Sequence, residues 1–349
     1  MDLYDLGSVP ALDSQLFYHA LADLGREGLL LLSPASPYVC VGYHQDAARE
    51  VDLAFCRARG IPVFRREVGG GAVYLDGGQV FFQLVLRRED PRIPASRDAF
   101  YRTFLEPVVR VYRRMGIAAE YKPVNDLVVG ARKVSGSGVG EIGEGLVFVG
   151  NVILDFDYRT MARVLNVPDE KFRDKVFRTL EENLSTVRRE LGAERATAWT
   201  AERVRGLLAE EFARLVGPLV PREPDDALRD RAEALRPVFQ SEAWLLARRG
   251  RGRGREIRIR SGLQVLHRLH KAKGGLLRAD FELVEGRLHA VSLSGDFFCY
   301  PPEGVERLEA LLEGAPPAEA VPRIEAFLAA EGVELPGVAA ADWAALFTA

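Results

Sequence analysis

The chain has 349 residues, about twice the length of a typical domain of roughly 100–200 residues, and two domains are therefore expected. Apolar residues at 48% and charged residues at 28% are typical of a globular protein, and a formal net charge of −3 gives no general attraction to nucleic acid or to anionic membranes. No stretch reaches the roughly 18 uninterrupted apolar residues of a membrane span. The first residues carry aspartates where a signal peptide has basic residues, so we expect a cytoplasmic protein without a membrane or nucleic-acid partner.

Apolar periodicity predicts a first part in which helices and strands are mixed. The predicted helices lie over residues 11–24, 47–59 and 97–115, and a mostly helical segment runs from residue 157 to residue 217. The predicted strands lie over residues 28–33, 38–43, 61–66, 81–86, 126–129 and 145–156. The segment between the last two strands is rich in glycine and is interpreted as a loop. Paired strands with short connections favour an α+β fold.

A change in composition predicts the domain boundary. Residues 217–226 read GPLVPREPDD, with three prolines and three acidic residues, which is typical of a linker. We therefore expect one domain over residues 1–222 and a smaller α+β domain over residues 223–349. The smaller domain is predicted to contain a charged helix, two strands over residues 275–284 and 287–294 joined by a turn, and alanine-rich helices at the end.

Cysteine and histidine spacing does not indicate a metal site. Cys40, Cys56 and Cys299 are far apart and lack CxxC spacing, so neither a disulfide framework nor a zinc site is expected. His267 and His270 are three residues apart, where a helix could bring them together, but nothing nearby completes a set of ligands. We interpret both histidines as surface or core residues.

The stretch RRGRGRGREIRIR, residues 248–260, is strongly basic. It resembles a nucleic-acid patch but lacks interleaved aromatic residues and leads into an apparent strand. We interpret it as a basic loop or docking surface, with nucleic-acid binding as the less favoured alternative.

The densest candidate for a binding site is the run from Arg65 to Tyr74, which reads RREVGGGAVY. Three consecutive glycines after a strand allow a ligand to approach backbone N–H groups, and two arginines supply planar donors for phosphate or carboxylate. The run is therefore a candidate anion site. The alternative is a tight turn between two strands with arginines that face solvent.

A second candidate site combines Asn125 and Asp126 with the run from Arg132 to Gly138, which reads RKVSGSG. Lys133 is a compact positive charge that can meet a phosphate or a developing oxyanion, and Asp126 can hold a magnesium ion through oxygen. An anionic, activated substrate would suit this pair. The alternative is a hairpin loop whose serines make local hydrogen bonds.

Other nucleotide-binding and catalytic patterns do not apply. Residues 138–143 match GxGxxG, but a dinucleotide-binding fingerprint must open a helix, whereas the residues that follow are predicted to form a strand. No Walker A sequence occurs, and no GxSxG turn indicates a serine nucleophile.

Taken together, RRxxGGGAVYxD at residues 65–76 and NDLxxxxRKVSGSG at residues 125–138 resemble the catalytic domain of the lipoate–protein ligase family, which is related to the biotin ligases. The resemblance implies a mixed-sheet catalytic domain and a smaller accessory domain. It also implies a reaction in two steps. Lipoate and ATP, with Mg²⁺, form lipoyl-adenylate, and the lipoyl group is then linked to a lysine of a lipoyl domain of a 2-oxoacid dehydrogenase or of the glycine-cleavage H protein.

The resemblance also implies roles for individual residues. Lys133 and Asp126 are the expected catalytic residues, with Asp126 as a possible magnesium ligand. The residues expected to bind substrate or nucleotide are Arg65, Arg66, Gly69, Gly70, Gly71, Val73, Tyr74, Asn125, Ser135, Gly136 and Gly138.

Two departures from the family pattern leave the acyl substrate open. Family members usually carry histidines where this chain has Leu75 and Val149, so lipoate, octanoate or another acid remains a candidate. The same superfamily includes octanoyltransferases that act through a cysteine thioester, for which Cys40 is the candidate near a motif, although it is interpreted as a core cysteine. A third alternative is a catalytically silent protein that binds lipoyl-adenylate.

Overall fold

A computed structural model describes residues 1–167, 169–248, 257–260, 263–330 and 332–347, with only the backbone at residues 257–260 and 263. The chain forms two compact units, which are not simply its two halves. The first unit comprises Met1–Cys40, Val51–Phe64 and Val73–Trp244, and the second unit comprises Val41–Glu50, Arg65–Ala72 and Leu245–Ala349.

An eight-stranded mixed sheet, in the order β11-β1-β2-β6-β10-β9-β8-β7, organises the first unit, and a small sheet has the order β4-β3-β5. The strands are β1 (Asp2–Val9), β2 (Gly28–Pro34), β3 (Tyr38–Val41), β4 (Val63–Arg65), β5 (Val73–Leu75), β6 (Gln79–Arg87), β7 (Glu120–Lys122), β8 (Asp126–Val129), β9 (Arg132–Ile142), β10 (Gly145–Ile153) and β11 (Val220–Pro221). Strand β2 pairs in parallel with β1 and antiparallel with β6, and β6 continues antiparallel to β10. The predicted α+β class is confirmed.

The described helices up to residue 245, in chain order, are α1 (Asp13–Asp23), α2 (Ala47–Glu50), α3 (Leu53–Ala58), α4 (Arg97–Arg114), α5 (Tyr158–Val164), α6 (Glu170–Asn183), α7 (Val187–Leu191), α8 (Ala193–Ala196), α9 (Ala201–Val216), α10 (Asp226–Phe239) and α11 (Glu242–Leu245), with α2 in the second unit. Helices α1 and α9 pack against the large sheet of the first unit. None of the helices in the described ranges has the length and apolar character needed to cross a bilayer.

The centre of the first unit is an apolar core around β2, β6 and β10. The apolar residues of β2 and β6 are almost continuous because helices α1 and α9 pack against these strands. The Phe82 ring of β6 lies 5.4 Å from the Phe148 ring of β10 and 5.5 Å from the Phe212 ring of α9. These aromatic contacts fix the strands from which the candidate site is built.

The glycine-rich segment after residue 130 is not a loop, and this prediction was wrong. It forms β9, which pairs antiparallel with β8 and with β10. A glycine inside a strand weakens that strand, but it also permits a neighbouring backbone to approach closely. A Cβ at Gly150 of β10 would lie 2.9 Å from the carbonyl oxygen of Gly136 in β9, so the two strands approach too closely there for a side chain.

Strand β1 was not predicted, and two further predictions are corrected. The single helix expected over residues 47–59 is divided into α2 and α3, and the Asp52 side chain caps α3 by accepting from the Phe55 N–H at 2.9 Å. His267 and His270 lie on a strand and not on a helix, so an odd spacing directs them to opposite faces of the sheet. His267 contacts Asp280 and His270 contacts Asp342.

In addition to α2, the described residues of the second unit form a four-stranded antiparallel sheet, in the order β12-β13-β14-β15, and helices that follow it in the chain. These elements are β12 (Ile257–Arg260), β13 (Leu263–Ala272), β14 (Gly275–Val284), β15 (Arg287–Gly295), α12 (Gly304–Leu312), α13 (Ala320–Ala330) and α14 (Ala340–Ala344). The predicted turn between β14 and β15 is confirmed, and both Glu285 and Gly286 have positive φ, as a tight hairpin requires. Trp343 and Phe297 are fully buried in the core of this unit.

Helix α10 follows the predicted linker and packs against α1 within the first unit. Ion pairs join Arg231 to Asp23 at 2.7 Å and Arg236 to Asp13 at 2.8 Å. The boundary between residues 222 and 223 stays a prediction. The basic stretch over residues 248–260 lies mostly outside the described residues, and its proposed docking role stays a prediction as well.

We expect Gly150→Ala to lower the free energy of unfolding by about 1–3 kcal/mol, which is typical of an overpacked core. The added methyl group would overlap the Phe82 ring as well as approach the Gly136 carbonyl. Urea unfolding measures the change. Gly206→Ala is the control, because Gly206 lies inside α9 with nothing within 4 Å of its Cβ position and should be neutral or stabilising. Equal stability of the Gly150→Ala variant and the wild type would contradict the close approach of β9 and β10.

Burial of His19 predicts a loss of stability at acidic pH. His19 lies in α1, its Nδ1–H donates to the Gln15 carbonyl at 2.6 Å, and burial lowers the pKa of its imidazole to about 4. In the unfolded state the imidazole binds a proton near pH 6.5, whereas in the folded state it stays neutral until the pH falls toward 4. The free energy of unfolding is therefore at its full value above pH 6.5 and decreases by about 3 kcal/mol as the pH falls toward 4. We expect His19→Asn to flatten the dependence of the unfolding free energy on pH between 4 and 6.5. An unchanged slope would show that other groups titrate there.

Candidate active site

Lys133 and Asp126 form the centre of the candidate site in the first unit. The Lys133 Nζ lies 2.6 Å from the Asp126 Oδ1, and about a third of each side chain is exposed. The two residues come together because β8 and β9 form an antiparallel hairpin in which Asp126 pairs with Gly136. The Lys133 ammonium is partly exposed, and an ammonium can donate charge-assisted hydrogen bonds to an anionic group.

Gly136 provides the space that the lysine occupies. A Cβ at Gly136 would lie 3.1 Å from the Lys133 Cε and 3.2 Å from its Nζ. The lysine side chain therefore runs along β9, over the residue that has no side chain of its own. The sequence placed Gly136 in the site, and this packing gives a physical reason for a glycine there.

Hydrogen bonds fix the backbone around this lysine. The Ser137 hydroxyl donates to the Asn125 carbonyl at 2.7 Å, and the Asn125 amide donates to the Ser137 carbonyl. Ser135 is buried, and its hydroxyl donates to the Asn151 carbonyl at 2.5 Å. Gly138 pairs with Val149 across β9 and β10. The roles of these residues in binding a nucleotide stay predictions, and the structure shows them joining three strands.

The small sheet of the first unit contains Val73 and Tyr74, both on β5. Tyr74 is buried, its ring lies edge-on to Phe156 at 6.1 Å, and burial raises the pKa of its hydroxyl. Val73 is partly exposed. Burial also raises the pKa of Asp76, the last residue of the first motif, which accepts from the Gly78 N–H at 2.9 Å. Their contribution to an acyl slot stays a prediction.

The glycine-rich motif belongs to the second unit, where both of its arginines bind backbone carbonyls. Arg65 is 1% exposed, which excludes the interpretation that it faces solvent. Its guanidinium donates to the carbonyl oxygens of Gly42 at 2.9 Å, Tyr43 at 2.7 Å and Leu245 at 2.7 Å. Arg66 donates to the carbonyls on either side of Gly70, at 2.7 and 2.9 Å. The structure thus gives both arginines a role in shaping the motif, and contact with phosphate stays a prediction.

Two phenylalanines, which sequence reasoning did not place in the site, pack on the glycines within the second unit. The Gly70 N–H donates to the Phe297 carbonyl at 3.2 Å, and Gly70 has a φ of +90°. A Cβ at Gly69 would lie 2.9 Å from the same carbonyl oxygen, and one at Gly70 would lie 3.0 Å from the Phe298 ring. The glycines therefore permit close packing by a segment far away in sequence, which no local pattern could indicate.

The segment from Val41 to Glu50 is fixed to β14 by ion pairs in the second unit. Arg49 lies 2.9 Å from Asp280, and Arg278 lies 2.9 Å from Glu50. At the end of β15, the Gly295 N–H donates to the His44 carbonyl at 3.0 Å, and the His44 ring stacks on Phe297 at 5.0 Å. This segment and the glycine-rich motif are therefore part of one compact unit with the C-terminal residues.

All three cysteines are buried. Burial raises the pKa of the Cys56 thiol to about 11 and that of the Cys299 thiol to about 12, so both stay protonated at neutral pH. Cys40 is 0% exposed in β3, and its thiol lies 3.8 Å from the Gln15 Oε1. Nucleophilic thiols are thiolates with access to substrate, and none of these three side chains has that access.

Residues in the described ranges do not form a protein-only metal site, since no group of three or more His, Cys, Asp or Glu side chains there could hold a metal ion. Mg²⁺ at nucleotide sites commonly takes one or two carboxylates and completes its shell with water and phosphate oxygens. The single Asp126 carboxylate fits that mode, and it would do so only together with a nucleotide.

Comparison with known proteins shows the family to which the chain is similar. The model of the lipoyl protein ligase A/B catalytic domain matches residues 9–213. The octanoyltransferase LipM of Kyrpidia tusciae is 30% identical over 231 residues, 60% of this chain and 82% of LipM. Lipoate–protein ligase 1 of Staphylococcus aureus is 22% identical over 298 residues, 83% of this chain and 82% of that ligase. The solved bi-partite lipoate protein ligase of Thermoplasma acidophilum, described with its E2 lipoyl domain, has a TM-score of 0.60 and 26% identity over 70% of this chain and 95% of its own.

The match extends over more than half of the sequence, and the chain therefore belongs to the family of the lipoyl protein ligase A/B catalytic domain. It is an enzyme of the group that contains the lipoate–protein ligases and the octanoyltransferases. The fold expected from the two motifs, a catalytic domain of the biotin/lipoate ligase type with a smaller C-terminal domain, is confirmed.

We expect Gly42→Ala to disturb the glycine-rich motif and to weaken ATP binding. The new methyl group would overlap the Gly70 carbonyl oxygen, which has to move. The cost of such overpacking is typically about 1–3 kcal/mol. Titration calorimetry with ATP, and hydrogen exchange over residues 66–72, measure the effect, with Gly206→Ala as the control. Unchanged ATP affinity despite faster exchange in these residues would show that the motif does not hold the nucleotide.

Proposed function

We propose that the protein is an ATP-dependent lipoate–protein ligase. In the first step, a carboxylate oxygen of lipoate attacks the α-phosphorus of ATP, the bond to the β-phosphate breaks, and pyrophosphate leaves. In the second step, the amine of an acceptor lysine attacks the carbonyl of the lipoyl-adenylate, and AMP leaves. Mg²⁺ bound with ATP would neutralise charge on the phosphates.

One contrast carries this proposal: Lys133 is partly exposed and charge-paired, whereas every cysteine is buried. An adenylate mechanism needs a fixed positive charge where negative charge develops on the carbonyl and phosphate oxygens. A thioester mechanism needs a reactive thiolate instead. The side chains of this chain support the first requirement.

The chain's own groups then have distinct tasks. The Lys133 ammonium would contact the carbonyl and bridging phosphate oxygens of the acyl-adenylate, and the Asp126 carboxylate holds that ammonium in place at 2.6 Å. Asp126 would also offer an oxygen to the magnesium ion that accompanies the nucleotide. Val73 and Tyr74 would line the slot for the acyl chain, because they form the apolar strand β5.

The proposed acceptor is a lysine on a lipoyl domain or on the glycine-cleavage H protein. The support is the family match and the relative from Thermoplasma acidophilum, whose structure is described with an E2 lipoyl domain. Lipoate, ATP and Mg²⁺ are the proposed substrates and cofactor on the same grounds.

Octanoyl transfer without ATP is the second candidate function. Its support is the 30% identity to the octanoyltransferase LipM and the position of Cys40, which pairs with Val73 across β3 and β5. A thioester at Cys40 would require the thiol to leave its buried position beside Gln15.

We expect Lys133→Ala to lower the rate of lipoyl-adenylate formation by about 100–1,000-fold, which is typical of the loss of one group that stabilises developing charge. The assay is pyrophosphate release with lipoate and ATP. Lys133→Arg should not restore the rate, because the forked guanidinium differs in shape and reach. Lys175→Ala, at an exposed position on α6, is the matched control. A near wild-type rate in the Lys133→Ala variant would remove the lysine from the mechanism.

An acyl-transfer assay with an acceptor lipoyl domain separates the two candidate functions. We expect Cys40→Ala to retain ATP-dependent transfer of lipoate to an acceptor lipoyl domain, because no thioester forms. Transfer from an octanoyl carrier without ATP, abolished by Cys40→Ala, would establish the second candidate instead.

A further inference from the structure

A pair of side-chain amides connects β5 with β9 in the first unit. The Asn151 Oδ1 accepts from the Gly136 N–H at 3.0 Å, and the Asn151 Nδ2 donates to the Gln79 Oε1 at 2.7 Å. The Gln79 Nε2 in turn donates to the Tyr74 carbonyl at 3.2 Å. Gln79 is 1% exposed, so water does not readily replace these bonds.

The position of Asn151 explains why a side chain is needed there. The antiparallel ladder between β9 and β10 ends at the pair Ser137 and Gly150. The next pair in this register would be Gly136 and Asn151, and at this point the Asn151 side chain accepts the N–H of Gly136. The amide thus holds β9 at the residue where the backbone ladder stops.

The direction of the hydrogen bonds is fixed at both ends. A backbone N–H of Gly136 can only donate, and a backbone carbonyl of Tyr74 can only accept. Each amide must therefore turn its oxygen toward Gly136 and its nitrogen toward Tyr74. All three hydrogen bonds form in only one orientation of the two side-chain amides. The pair of amides therefore restricts the two strands more than two independent contacts would.

Gly136, whose N–H is bound by Asn151, is the residue over which the Lys133 side chain lies. The Cβ position of Gly136 is 3.1 Å from the Lys133 Cε, so a shift of Gly136 moves the surface that supports the ammonium. Asp126 pairs with Gly136 from the other side and contacts the Lys133 Nζ. The location of the ammonium and of its carboxylate therefore both depend on this one backbone position.

We propose that Asn151 and Gln79 are positioning residues that act through the Gly136 N–H to fix Lys133 and Asp126, and that they tie this centre to the strand of Tyr74. The role of the lysine in adenylation rests on the proposed function. The hydrogen-bond chain itself does not, so the two can be tested apart.

The first test measures the hydrogen-bond chain without any substrate. In the full-length protein, we expect Asn151→Ala to accelerate hydrogen exchange of the Gly136 amide and to increase labelling of Lys133 by an amine-reactive reagent, with Lys122 as an internal reference. Asn183→Ala is the matched control, because the Asn183 amide is exposed and donates within α6, to the Thr179 carbonyl at 2.8 Å. Unchanged exchange at Gly136 and unchanged labelling of Lys133 would overturn the proposal.

The second test separates positioning from binding and from general stability. We expect Asn151→Ala to lower kcat for adenylate formation by about 100-fold, as a small misplacement of a catalytic group can do, with the KM values for ATP and lipoate little changed. Gln79→Glu should be more harmful than Gln79→Ala, because its carboxylate would face the Tyr74 carbonyl. A change confined to KM, or faster exchange throughout β9 and β10, would overturn the positioning role.

A wild-type protein that forms no adenylate would refute the proposed function. The exchange and labelling results would still decide whether the hydrogen-bond chain positions Lys133.

Discussion

The close approach of β9 to its neighbours is the constraint on which the candidate site depends. Gly136 has no side chain, so Lys133 can lie along its own strand, and Gly150 has none, so β10 can approach β9. Because protein interiors are densely packed, these two positions leave little freedom for the strands. The hairpin of β8 and β9 then brings Asp126 to the lysine. A charged pair at the surface is in this way located by contacts within the sheet.

Sequence patterns identified the elements whose physical signal is local. The strand over residues 126–129 and the long helix α4 have their apolar periodicity within one segment, and both were predicted with nearly correct bounds. Strand β9 was missed because its glycines are typical of a loop, and only the neighbouring strands explain them. The two motifs correctly indicated the family, but the contact of Lys133 with Asp126 depends on an irregularity in register after Leu127, which no sequence pattern shows.

The arginines of the first motif illustrate a different limit. A guanidinium can donate to phosphate and to backbone carbonyls, so the residue type alone could not distinguish a ligand contact from a structural one. For Arg65 the structure shows burial and hydrogen bonds to three carbonyl groups of its own unit, while contact with phosphate stays a prediction. The cysteines show the same principle, since their chemistry depends on exposure that the sequence does not reveal.

The second unit is assembled from segments that are far apart in the sequence, and this separation affects the order in which the chain can fold. Residues 41–50 and 65–72 are synthesised well before the partners that complete their packing, such as Phe297 and Asp280, which follow more than 200 residues later. Contacts at such separation carry a large loop-closure entropy and form late. The glycine-rich motif therefore reaches its final conformation only after the segment that contains Phe297 has been synthesised. An incomplete chain is kept from assembling this part of the enzyme, even where most of the first sheet has already formed.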